Sequence, residues 1–147
     1  MIAKVNVLEC AEILAFVESV VASSVDAPAE AKAVFVENLR LNIDRWARAP
    51  EQSVHLKFVE NGVVLGVVLV RDHWNLCSLF VAPAHHRRGI GSALVRAAIA
   101  LCRSKAAAPS IRLNAAYNAV PFYRALGFQE VPASQSVLSA VPMEFAL

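Results

Sequence analysis

The chain has 147 residues, 14 Lys and Arg against 12 Asp and Glu for a formal net charge of +2, and is 57% hydrophobic. That length fits one domain, residues 1–147, able to bury about two-thirds of its unfolded surface. The charge is too small for a nucleic-acid footprint, and no apolar run reaches the ~20 residues that cross a bilayer, so neither nucleic acid nor membrane is an expected partner.

In chain order, Ala3 to Val7 reads as a short first strand. From Glu9 to Val21, the residues Ile13, Leu14, Val17, Val20 and Val21 recur at the spacing of one helix face. A second helix is predicted to start at Asp26-Ala27-Pro28, with Asp26 as cap and Glu30 in the first turn. It runs through Val34, Phe35, Leu39 and Ile43 to about Trp46, and Pro50 marks its end. Two strands follow, Val54 to Val59 and Val63 to Val70, joined by Asn61-Gly62. That dipeptide is the strongest short hairpin signal, because both turn positions need positive φ. Asp72-His73 turns the chain into a strand from Trp74 to Val81.

The glycine-rich stretch His85-His86-Arg87-Arg88-Gly89-Ile90-Gly91-Ser92 comes next and opens a helix to about Arg103. Ala106-Ala107-Ala108-Pro109 reads as a linker and Ile111 to Leu113 as a short strand. Asn118 to Leu126 reads as helical, with Pro121 tolerated in its first turn and Gly127 as its stop. Phe128 to Val131 and Val141 to Phe145 are the final strands. Helices, then a hairpin meander, then strand–helix–strand–helix–strand predict a mixed α/β sheet whose parallel crossover lies at the glycine loop. The mean hydropathy of +0.50 predicts a covered central sheet with apolar area left for a subunit interface, which leaves a homodimer open. Cys10, Cys77 and Cys102 are an odd count in apolar surroundings, as suits reduced thiols. The first ten residues include Asn6 and Glu9 and show no signal peptide, so a cytoplasmic location is expected.

A strand feeding a basic glycine loop and then a helix can hold phosphate. Gly89 and Gly91 let the backbone approach without a Cβ. Free N–H groups and the positive helix end attract an anion, and Arg87 and Arg88 add forked donors. The dinucleotide fingerprint fails, because Leu94 stands where its third glycine is required. A P-loop fails too, since no Gly-Lys pair precedes a Ser or Thr.

The segment His86-Arg87-Arg88-Gly89-Ile90-Gly91, preceded by Leu79-Phe80-Val81-Ala82-Pro83, resembles the acetyl-CoA loop of the GNAT superfamily of N-acetyltransferases. A second segment, Asn114 and then Asn118-Ala119-Val120-Pro121-Phe122-Tyr123-Arg124-Ala125-Leu126-Gly127-Phe128, resembles that family's second acetyl-CoA element. The resemblance extends from Val63 to Val131. It implies a GNAT-type mixed, mostly antiparallel sheet of about six to seven strands, splayed at the acetyl-CoA site and flanked by about four helices.

It also implies roles. The main chain of Leu79, Phe80 and Val81 would meet the pantetheine and the thioester carbonyl, where a preorganised N–H is a large catalytic term. His86, Arg87, Arg88, Gly89, Ile90, Gly91 and Ser92 would hold the pyrophosphate, with His86 standing where the family has Gln or Arg. Asn114, Asn118 and Phe122 would complete the cofactor site, and Asn118 could equally cap the following helix. Tyr123 would protonate the leaving thiolate, since a phenol of pKa about 10 can deliver a proton to a thiol of about 8.5.

No general base is assigned. Cys77 stands where many members have a carboxylate, Ser78 is beside it, and His73, Glu51 and Asp72 are the other candidates. A metal is not expected, because His73 and Cys77 would be about 13 Å apart on a strand. Arg40, Asn42, Arg45 and Trp46 are candidates to face the acceptor, with a solvated helix face as the alternative. The expectation is an acetyl-CoA-dependent N-acetyltransferase acting on an unidentified amine. The rivals are a CoA-binding sensor without turnover and a non-catalytic dimerisation module.

Overall fold

A computed structural model describes residues 1–105, 108–132 and 140–147. The first half of the chain forms β1 (Ile2–Lys4), α1 (Cys10–Ser24), α2 (Ala29–Arg48), β2 (Val54–Glu60) and β3 (Val63–Arg71). The second half forms β4 (Asn75–Val81), α3 (Ile90–Arg103), β5 (Ser110–Ala116), α4 (Val120–Ala125), β6 (Gln129–Glu130) and β7 (Ala140–Ala146). The seven strands make one sheet in the order β1-β2-β3-β4-β5-β7-β6. Every neighbouring pair is antiparallel except β4 and β5, so the fold is the mixed sheet with four helices that the resemblance implies.

The meander follows from its turns. Asn61 and Gly62 have φ of 52° and 76°, the left-handed pair that a two-residue hairpin needs. Asp72 and His73 adopt the same geometry without a glycine, at 56° and 62°, and the Trp74 N–H closes the turn on the Arg71 carbonyl at 3.1 Å. Asp and His are among the residues that tolerate this region best.

Side chains alternate across the sheet, so β3 is buried on both faces. Val68 and Val70 pack toward α3 against Leu94, Val95 and Ala98, while Val67 and Leu69 pack toward α1 and α2 against Ile13, Leu39 and Ile43. Gly66 lets α3 seat closely. A Cβ there would lie 2.9 Å from Leu94 Cδ1, 3.0 Å from Ile90 Cγ2 and 3.3 Å from the Phe80 carbonyl oxygen. Gly66→Ala is therefore expected to destabilise the fold by about 1–3 kcal/mol through overpacking, read as a lower denaturant midpoint at unchanged slope.

Several boundaries differ from the sequence expectations. The first strand stops at Lys4 because Asn6 caps the turn that leads into α1. Asn6 Oδ1 accepts from the Leu8 N–H at 2.9 Å, and Glu9 Oε1 accepts from the Asn6 N–H at 2.7 Å. Asp26 does not cap α2, whose N-cap is Pro28 with no side-chain bond. The strand after the second hairpin begins at Asn75, since Trp74 completes the turn. Asn118 does not cap α4 either. It sits in a 3-10 turn over Tyr117–Ala119, and the helix begins at Val120. Ala106 and Ala107 of the expected linker lie outside the described residues.

β4 and β5 pair at one position only, Asn75 with Arg112, where the Arg112 N–H donates to the Trp74 carbonyl at 2.7 Å. Beyond it the strands part. A bulge adds to the divergence: Leu76 opposes Val70 and Ser78 opposes Leu69, which leaves Cys77 as the extra residue. Bulges bend a strand and increase its twist. The opening between β4 and β5 positions the site described next.

Candidate active site

A groove of about 510 Å³ lies beside the end of β4, floored by the start of α3 and walled by α4. Arg87 and Gly89 both have positive φ, 65° and 78°. These two left-handed residues curl the loop so that α3 starts with its N–H end toward the groove. The first intrahelical bond runs from the Ala93 N–H to the Gly89 carbonyl at 3.0 Å, and no side chain caps the helix. The N–H groups of Ile90, Gly91 and Ser92 therefore have no helical acceptor, and all three residues line the groove. A Cβ on Gly91 would lie 3.3 Å from Phe122 Cζ and 3.6 Å from Val81 Cγ2, so glycine there lets α3, α4 and β4 converge.

The main chain of β4 is oriented by its pairing with β3. The Ala82 N–H donates to the Leu65 carbonyl at 2.8 Å. Alternation along an antiparallel strand then turns Phe80 toward β3, and Leu79 and Val81 toward the opening. Leu79 and Val81 line the groove. The Phe80 ring faces the other way and meets Phe35 of α2 edge-on, with centroids 6.2 Å apart.

The charged loop residues divide. His86 Nε2 donates to the Val81 carbonyl at 3.0 Å, which ties the loop to the strand end. Arg87 lines the groove. Arg88 turns outward: its Nη2 donates to Glu60 at 2.6 Å and its Nη1 contacts His85 Nδ1 at 2.7 Å. The guanidinium beside Glu60 holds that carboxyl below the usual carboxylate range.

Tyr123 is 8% exposed and lines the groove. Its ring packs edge-on against Phe122 at 5.0 Å and Phe128 at 5.5 Å. Burial pushes its phenol up to about 12, so the hydroxyl stays protonated at neutral pH.

Of the residues singled out from the sequence, the groove gathers Leu79, Val81, His86, Arg87, Gly89, Ile90, Gly91, Ser92, Phe122 and Tyr123. It does not gather Phe80, Arg88, Asn114 or Asn118. Asn114 is on the exposed face of β5 opposite Pro142, and Asn118 is exposed in its 3-10 turn. His85 and Ala119 line the groove as well; Ala119 directly follows Asn118, and its small side chain carries no sequence signal.

The base candidates lie elsewhere. Cys77 donates its Sγ–H to the Leu69 carbonyl at 3.6 Å, and burial pushes its thiol up, so it is a protonated packing group. His73 and Glu51 line a second cavity, with Trp46 of the helix stripe. Arg40 is paired to Glu37 and Asp44, and Asn42 Oδ1 accepts from Arg71 at 2.7 Å. Among the described residues, no group of three or more His, Cys, Asp or Glu could hold a metal ion. No helix among them is long and apolar enough to cross a membrane.

Comparison with known proteins adds a family to this geometry. The family model described as acetyltransferase (GNAT) domain matches residues 24–147. No curated protein matches the chain. Among solved structures, a GCN5-related N-acetyltransferase from Rhodopseudomonas palustris superimposes with a TM-score of 0.79 at 17% identity, covering 100% of this chain and 95% of that one. The PaiA N-acetyltransferase from Thermoplasma acidophilum, solved in complex with coenzyme A, gives 0.78 at 16% identity over 100% and 98% of the two chains. A ribosomal-protein-alanine N-acetyltransferase from Brucella melitensis gives 0.72 at 20% identity over 100% and 99%. At these identities the superpositions speak for the fold.

Proposed function

This chain belongs to the GNAT acetyltransferase family, and we propose that it moves the acetyl group of acetyl-CoA directly to an amine. The observation that carries this reading is one groove that gathers the uncapped start of α3, the opened side of β4 and Tyr123. A neighbour of the same fold was solved with coenzyme A, which supports the choice of ligand.

The residues fit such a ligand. Ile90, Gly91 and Ser92 would offer N–H groups to the pyrophosphate, with Arg87 as the nearby cation. Arg88 would contribute by bracing the loop against Glu60 rather than by touching phosphate. His86 would hold the loop to β4. Leu79 and Val81 would present main-chain N–H groups to the pantetheine and to the carbonyl oxygen on which charge develops. Acetyl-CoA supplies an activated thioester. The acceptor nitrogen bonds to its carbonyl carbon, the C–S bond breaks, and Tyr123 gives its phenolic proton to the departing sulfur. The proton lost by the nitrogen passes to solvent, from which the Tyr123 phenolate regains its own. An acceptor amine of pKa about 10 is mostly protonated at neutral pH, so turnover should climb as pH rises toward that value.

The test is a panel of amines offered with acetyl-CoA: amino acids, peptide N-termini, polyamines and aminoglycosides. Free thiol and the mass of the acetylated product are read together. Thiol release matched by an N-acetyl product is the expected result. Tight acetyl-CoA binding with no transfer to any amine would overturn it.

A further inference from the structure

A second cavity, of about 320 Å³, lies at the other end of α3 from the glycine loop. Leu101 and Lys105 bound it where α3 ends, and the helix itself spans about 20 Å. Lys4 at the end of β1, Trp46 near the end of α2, His55 in β2 and His73 in the β3–β4 turn close the other sides. None of these residues belongs to the groove.

His55 is the unusual member. It is only 5% exposed, and its Nδ1 has no hydrogen-bond partner among the described residues. A buried polar atom left unpaired is uncommon in a folded chain and calls for a partner. Trp46 packs edge-on against the ring at 4.4 Å and offers it no acceptor. Glu9 is the carboxylate that acts on His55, and both of its oxygens are taken, one by Lys57 and one by the Asn6 N–H. Burial holds the imidazole well below its usual range, at about 4, so it is neutral and can donate from one nitrogen.

The charge around the cavity is uneven. Lys4 and Lys105 are exposed at its wall, against the single carboxylate of Glu51. Burial, and then the positive charge of Lys105, hold the His73 imidazole below its usual range. The remaining wall is largely apolar, through Val54, Leu56 and Leu101. The volume is at the small end of the range for ligand sites.

We propose that this cavity binds a small carboxylate with an apolar body, the charge answered by Lys4 and Lys105, and that the His55 ring, whose Nδ1 is closed to the cavity in this structure, turns to give a carboxylate oxygen the hydrogen bond it lacks. A neutral or cationic compound of the same shape would leave the lysines unanswered. The site is independent of the acetyl-transfer reading, because none of its residues lines the groove.

The experiment uses the full chain labelled with 15N-histidine and titrated with hexanoate, then with hexanamide. Hexanoate is expected to move the His55 ring-nitrogen signals saturably, and to bind at least about tenfold more tightly than hexanamide. The double variant Lys4→Ala/Lys105→Ala, which changes two exposed side chains, is expected to weaken hexanoate by about tenfold with the fold unchanged. Saturating acetyl-CoA should leave the hexanoate titration in place. The proposal is overturned if the His55 signals do not move, if the amide binds as well as the acid, if the double variant binds unchanged, or if acetyl-CoA abolishes the shift, which would put the carboxylate in the groove.

Discussion

Gly91→Glu is expected to raise the dissociation constant for acetyl-CoA by about 10²–10³-fold, since like charges brought together at a binding surface cost several kcal/mol. The position explains the size of the effect. Gly91 is the second residue of α3, it lines the groove, and an added Cβ would point at Phe122 from 3.3 Å. A longer side chain must therefore turn into the space where the pyrophosphate would lie, carrying a negative charge. The same carboxylate favours the helix, because an anion in the first turn answers the macrodipole. Folding should thus survive while binding fails. Gly91→Ala is the control, and Phe122 has to yield only a few tenths of an ångström, so a loss below about tenfold is expected. Calorimetry with acetyl-CoA reads the affinity and circular dichroism checks the fold. Retained affinity in the glutamate variant would move the pyrophosphate away from the start of α3.

What the sequence made legible was local. Asn61-Gly62 states its own turn, and Gly89-Ile90-Gly91 after an apolar strand states the turn into α3, because each depends on backbone conformations that few residues adopt. The family motif around Tyr123 likewise located a residue that does reach the groove. Contacts between distant segments were not legible. Arg88 reads as a phosphate ligand until Glu60, 28 residues earlier, is seen to hold it. Phe80 reads as one of three equivalent main-chain donors until the register with β3 turns it away from Leu79 and Val81. The bulge at Cys77 had no signal either: a cysteine among apolar residues looks the same whether it is paired or extra. Asn118 is the converse case. Its type suits a helix cap, but Pro121 fixes where α4 can begin and leaves Asn118 in the turn before it.

Tyr123→Phe is expected to lower kcat by about 10²-fold while the dissociation constant for acetyl-CoA stays within about twofold. The substitution removes one oxygen and keeps the ring, so the edge-on contacts to Phe122 and Phe128 that hold α4 in place are retained. General acids contribute about 10²–10⁴-fold. The lower end applies here, because a thiol of pKa about 8.5 already leaves as a tolerable anion. Burial keeps the phenol in its protonated, donor form, though as a weaker acid, and leaves no tyrosinate to act as a base. With its phenol pushed up to about 12, Tyr123 holds its proton across the working pH range and cannot deprotonate an amine. A loss confined to kcat marks an interaction made only in the transition state, which a ring that merely packed the core would not show. Equal kcat in the two proteins would remove Tyr123 from the chemistry and leave the thiolate to take its proton from water. A parallel loss of acetyl-CoA affinity would point instead to a collapsed groove wall, and the denaturant midpoint of the variant distinguishes that case.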